Sequence, residues 1–147
     1  MDDNNKLATP VERKPTTNDY LAGAMLANGI VWIWNQALGT MPNFFSQVPP
    51  VILADITYVI YLIAAIVASN QVCTRASSMH LIVGIKSALF SWVLSLITML
   101  SMAPNPTIGL ALSLLLCFLA GGVVGAYLII RSRLNKLKTR EKTPDEG

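Results

Sequence analysis

The sequence predicts an all-α integral membrane protein, with four transmembrane helices in an antiparallel bundle and both termini cytoplasmic. Three observations carry that prediction. Of 147 residues, 53% are hydrophobic and only 13% are charged, about half the roughly 25% charged share of a soluble domain. Between Tyr20 and Ile130 the only charged side chains are Asp55, Arg75 and Lys86, so 20–54, 56–74 and 87–130 pass without a formal charge. The basic residues are also placed unevenly. Lys6, Arg13 and Lys14 precede the apolar region, Arg75 lies in its middle, and Arg131, Arg133, Lys136, Lys138, Arg140 and Lys142 follow it. Such a chain has too little polar surface for a soluble fold and too much apolar content for a disordered one. Its two cysteines, Cys73 and Cys117, do not make a disulfide scaffold.

The chain divides into a polar cytoplasmic segment (1–19), a four-helix transmembrane domain (20–130) and a basic cytoplasmic tail (131–147). A spanning helix needs about 20 mainly apolar residues to cross about 30 Å of hydrocarbon. The first segment, 20–38, follows candidate capping residues Thr16 to Asp19 and ends before Gly39 and Pro42. Its apolar run is long enough to span, which argues against a cleavable signal peptide. The second, 50–69, opens on Pro49-Pro50, and proline suits a first helical turn because the amide it lacks would be unpaired there. Its many β-branched residues favour a strand, but length and continuous apolar character outweigh that weak preference. The third, 79–102, follows Ser77 and Ser78 as candidate caps. The fourth, 106–130, opens on Asn105-Pro106, and the Ala103-Pro104-Asn105-Pro106 run forces a tight turn between the third and fourth. The register of the fourth carries on into the tail, where Leu134 and Leu137 lie among basic residues.

Orientation follows from the charges. The loops at 39–49 and 103–105 hold no basic residue, whereas the opposite side collects ten of the eleven, and cytoplasmic loops are the ones enriched in Lys and Arg. Trp92 falls at mid-membrane, where it must pack between helices and find a partner for its indole N–H among its own helix's serines or on another subunit.

In lipid, helices associate through close approach of small residues more than through apolar burial. The fourth segment carries Gly109, Ser113, Cys117, Gly121 and Gly125 at a spacing of four, the third carries Gly84, Ala88 and Ser91, and the first carries Gly23 and Ala27. These are the expected helix-packing positions, and more seams than four helices need internally point to contact with other chains.

Asp55 and Lys86 are the candidate ion or proton path, because ionisable residues inside a membrane pair, face the protein interior or carry protons. The plainer readings are that Asp55 is hydrated near the interface or bonded to Asn35 or Gln36, and that Lys86 snorkels to headgroups. The two enter from opposite faces, leaving roughly 15 Å between their depths, too far for a direct salt bridge. His80 alone supplies neither a haem pair nor a zinc site, so no metal and no nameable cofactor is implied. Asn28 is expected to bond across helices. Arg131, Arg133, Lys136 and Lys138 are expected to meet anionic lipid headgroups rather than nucleic acid. With no nucleotide loop, zinc motif or nucleophile constellation, catalysis is not expected. The expected function is a non-catalytic integral subunit that packs within or stabilises a larger complex in the cell membrane, with other integral subunits or its own copies as partners. The alternative is a small oligomeric transporter or channel using Asp55 as proton or cation acceptor.

Overall fold

The computed structural model describes residues 14–102 and 108–141. It consists of α1 (Thr17–Thr40), α2 (Pro42–Phe45), α3 (Pro50–Arg75), α4 (His80–Met102) and α5 (Ile108–Glu141), and no strand occurs among the described residues. The expected turn at 103–106, its proline cap, and the chain termini 1–13 and 142–147 lie outside them. Three stretches, Pro50–Arg75, His80–Ser101 and Ile108–Thr139, are long and apolar enough to cross a membrane, so the chain has the character of a multi-pass membrane protein. The remaining long helix, α1, has 24 residues. It carries Asn28, Asn35 and Gln36 and stands outside those three.

The helices outrun the apolar segments. α1 begins at Thr17 because Thr16, in an extended conformation, caps it. The Thr16 N–H donates to Asp19 Oδ2 at 2.9 Å and its hydroxyl donates to the same oxygen at 3.0 Å, the reach-back half of a capping box. α3 continues past 69 to Arg75, and α5 continues past 130 to Glu141. Hydropathy marks where lipid ends, whereas a helix ends only where its hydrogen bonds do, and 131–141 contains neither Gly nor Pro. α2 is a single turn with Pro42 in its first position. Phe45 sets its ring edge-on to Trp34, with centroids 5.7 Å apart. Between α3 and α4 the chain turns in four residues, and Met79 takes a left-handed conformation with φ 54°, which costs a side-chain-bearing residue about 1–2 kcal/mol.

Around the bundle the order is α1, α3, α5, α4, with each helix packed on the next. α3 and α4 also touch across the diagonal, while α1 and α5 form no comparable interface. The start of α1 meets the end of α3 (Asp19 with Arg75), and the later part of α1 meets the earlier part of α3 (Trp34 with Thr57). The core is built of small residues. Ala24, Ala27, Ala64, Ala68, Ser69 and Ser87 are fully or almost fully buried, and Phe118 is the largest side chain among the fully buried ones.

Close backbone contact follows from that composition. A Cβ on Gly84 would lie 2.5 Å from the Gly122 carbonyl oxygen, and one on Gly122 would lie 2.7 Å from that of Gly84. On the other flank of α5, a Cβ on Gly121 would meet Ala65 Cβ at 2.5 Å, and one on Gly125 would meet the Ile66 carbonyl at 2.8 Å. α5 therefore presents two glycine seams, 121/125 to α3 and 122 to α4. Ser69 of α3 donates a hydrogen bond to the Gly122 carbonyl at 2.8 Å, tying the three helices at one level.

Candidate functional site

Asp55 lies in the second turn of α3 and Lys86 in the second turn of α4, and both are exposed on the outside of the bundle. Neither has a hydrogen-bond or ion-pair partner among the described residues, and Asp55 is not bonded to Asn35 or Gln36. The structure does not bring the two together. Around Asp55 the partly buried positions of α3 include Leu53, Thr57, Tyr58 and Tyr61, and around Lys86 the buried positions of α4 are Val83, Gly84, Ser87 and Ala88, so both charged side chains lie off the packed faces.

Among the described residues, the charged contacts gather at the end of the bundle opposite α2. Arg75 Nη1 donates to Asp19 Oδ1 at 2.6 Å, and the Asp19 side chain is 8% exposed. The Thr16 N–H bond, then Arg75, hold the Asp19 carboxyl below the ordinary carboxylate range, at about 2. Arg133 Nη2 donates to the Ala76 carbonyl at 2.7 Å and Nη1 to that of Ser77 at 3.2 Å. The extended α5 is thereby clamped to the turn between α3 and α4, at the carbonyl end of α3 where a cation is favoured. Arg133 thus has an intramolecular role, while Arg131, Lys136 and Lys138 are exposed. Leu134 and Leu137 are exposed beside them, 54% and 61%, so this stretch of helix offers basic and apolar groups to whatever lies alongside.

Of the expected packing positions, Gly23, Ala27, Gly84, Ala88, Ser91, Gly121 and Gly125 are buried, Ser113 and Cys117 are half-buried, and Gly109 is exposed, with nothing near its Cβ position among the described residues. The line of small residues on α5 is therefore close-packed only in its second half. In the first half Leu114 and Phe118 fill the interior instead. Sequence reasoning missed Gly122, although the adjacent Gly121-Gly122 pair was a readable sign that two flanks of one helix need close approach. Cys73 and Cys117 are both free, and Cys73 Sγ donates to the His80 carbonyl at 3.3 Å.

Trp92 finds its partner on α5, donating from Nε1 to the Ala111 carbonyl at 3.0 Å. That corrects the expectation of a serine on its own helix or a group from another subunit. The indole is long enough to reach across the helix–helix contact, and α4's serines face elsewhere, with Ser87 and Ser91 fully buried and Ser95 bonded to α1.

Asn28 does bond across helices: Ser95 Oγ of α4 donates to its Oδ1 at 3.1 Å, and its Nδ2 donates to the Ala24 carbonyl at 3.0 Å. This pair forms part of the wall of a cavity of about 280 Å³ between α1 and α5, which Asn35, Tyr61 and Thr98 also line. Asn28 and Asn35 share a face of α1 and Ser95 and Thr98 a face of α4, but nothing in the sequence brings those faces and Tyr61 of α3 together. Among the described residues no three His, Cys, Asp or Glu side chains converge as a metal site would require. Comparisons with protein-family models, with curated proteins and with solved structures find no match to this chain.

Proposed function

We propose that the protein is a non-catalytic integral subunit that packs within or stabilises a larger complex of the cell membrane. In this reading α1 is a fourth span, the four spans form an antiparallel bundle, and both termini are cytoplasmic. α1 supports this by packing on both α3 and α4, and the distribution of Lys and Arg supports the orientation.

The observation that carries the proposal is the outward placement of Asp55 and Lys86 without partners among the described residues. An ionised side chain facing lipid costs about 2.5–3.5 kcal/mol at the centre of a span, less towards its ends. A neighbouring chain that offers donors to Asp55 and acceptors to Lys86 removes that cost. The basic flank of α5 adds contact with anionic lipid, at about 1 kcal/mol per Lys or Arg near the surface. Extraction in mild detergent followed by native mass measurement tests the proposal. The expected particle contains further integral chains, and Asp55→Asn lowers their yield. A monodisperse single chain of 15.9 kDa plus detergent overturns it.

The same exposure favours one second reading, a small oligomeric transporter or channel with Asp55 as proton or cation acceptor. Asp55 does not line the 280 Å³ cavity and is exposed on the outside of the bundle, so such a path would run between copies of the chain. Asp55→Asn then abolishes flux in liposomes with folding intact, and unchanged flux excludes the role.

A further inference from the structure

We propose that the cavity between α1 and α5 binds one uncharged amphiphile drawn from the bilayer, its hydroxyl or carbonyl head held by Asn28 and Ser95. This inference does not rest on the subunit reading, because the site is formed within one chain.

The cavity exists because of how the four helices meet. α3 and α4 close across one diagonal where Gly84 meets Ser69, which leaves the α1–α5 diagonal open where Leu110 and Leu114 replace the glycines of the second half of α5. Its volume of about 280 Å³ falls just below the range of about 300–1,000 Å³ for drug-sized ligands. That suits a head group with a short length of chain.

The lining fixes the chemistry. Five side chains are polar and uncharged, namely Asn28, Asn35, Tyr61, Ser95 and Thr98, and no charged residue lines the space among the described residues. A charged ligand would lose its hydration there with no counter-charge to replace it, so anionic and cationic headgroups are excluded. Val31, Met99, Leu110 and Leu114 line the rest. Water would satisfy the polar wall and leave this apolar wall uncovered, whereas an amphiphile covers both.

Hydrogen-bonding capacity is also left over. The Asn28 amide uses one N–H on Ala24 and its oxygen accepts from Ser95, so a second N–H and the Ser95 lone pairs remain for a ligand. Ser95 is itself 6% exposed. One turn further in, Ser91 is buried, and its hydroxyl has no partner among the described residues, extending the polar line below the site.

Entry is lateral. The exposed members of the lining are Trp32 and Asn35 on α1 and Thr98 on α4. The mouth thus opens between the flanks of two helices, where a bilayer solute has access, with Trp32 amphipathic at its edge.

The test uses the full chain in liposomes and two photoreactive probes, a diazirine-bearing octanol and the matching diazirine alkane, with crosslinked residues identified by mass spectrometry. The alcohol is expected to label Trp32, Tyr61 and Met99 saturably and to be displaced by unlabelled octanol. The alkane is expected to label the outward residues Val59 and Ile63 without saturation. Ser95→Ala lowers saturable labelling about fivefold, as loss of one net hydrogen bond does, and Ser87→Ala, away from the cavity, leaves it unchanged. Should Ser95→Ala fail to fold, Leu110→Trp fills the space from its apolar wall and abolishes the saturable component. Equal, unsaturable labelling by both probes, or saturable labelling that survives Ser95→Ala and Leu110→Trp, overturns the proposal. None of these outcomes depends on the mass of the extracted particle.

Discussion

Asp19 shows how much one side chain at the start of a helix can do. Its carboxylate accepts from the Thr16 amide and hydroxyl through one oxygen and from Arg75 through the other, so it caps α1 and ties that cap to the end of α3. It precedes the first expected span, and the same bonds lower its pKa from 3.8 to about 2. A carboxyl whose pKa is depressed on folding stabilises the fold fully above its unfolded value, and that contribution disappears as pH falls through the folded one. Asp19→Asn is therefore expected to lower the unfolding temperature at pH 7, and the gap from the unmodified chain should close between about pH 4 and about pH 2. Thermal unfolding of both proteins in detergent across that range measures it, and a gap constant from pH 7 to pH 3 refutes the account. Asp19 was legible in the sequence as a capping residue. Its partner Arg75 was not, because the two are 56 positions apart.

At the scale of the helix, existence and starting point were readable and close contacts were only half readable. Apolar runs located α3, α4 and α5 to within a few residues at their starts, since lipid rewards continuous apolar character along the sequence. The end of α3 was less legible, because 70–75 keep the helical hydrogen bonds after the apolar run ends, whereas the continuation of α5 into the basic tail was expected. The glycines divide in the same way. Spacing by four finds the flank formed by Gly121 and Gly125, but α5 packs on two neighbours, and the second flank begins at Gly122. A methyl group at Gly122 has no room, lying 2.7 Å from a backbone oxygen and 2.8 Å from Ala88 Cβ. Gly122→Ala is expected to destabilise the protein by about 1–3 kcal/mol through forced separation of α4 and α5. Gly109→Ala, with no described atom within 4 Å of its Cβ position, is expected to stabilise it by less than the roughly 0.5–1 kcal/mol of a mid-helix glycine, because it lies in the first turn of α5. Equilibrium unfolding in a denaturing detergent compares them, and equal effects of the two substitutions would show that the seam does not hold α4 and α5 together.

Over the whole molecule, the inside and the outside have exchanged their usual characters. Small and hydroxylic residues are buried, while large aliphatic ones such as Ile33, Val51, Ile97 and Leu116 are exposed. In water such a surface would aggregate, and in hydrocarbon it costs nothing. The cavity at Asn28 and Ser95 could not be read from the sequence, because it depends on which diagonal of the bundle closes. The same inversion makes the side of each loop a testable property. With α1 as a span, Gln47, exposed between α2 and α3, belongs on the outer side, and Ser132, exposed on the basic stretch of α5, belongs on the cytoplasmic side. Single cysteines introduced as Gln47→Cys and Ser132→Cys, each in a background carrying Cys73→Ala and Cys117→Ala, place both ends. A membrane-impermeant thiol reagent is expected to label the first in intact cells and the second only after permeabilisation. If α1 does not cross, 14–40 stays on the side of Gln47, and Lys14→Cys becomes labelled in intact cells together with it. Labelling of Ser132→Cys from outside would reverse the orientation, putting the Arg133 clamp and the Asp19–Arg75 pair on the outer face and removing the basis for contact with anionic cytoplasmic lipid.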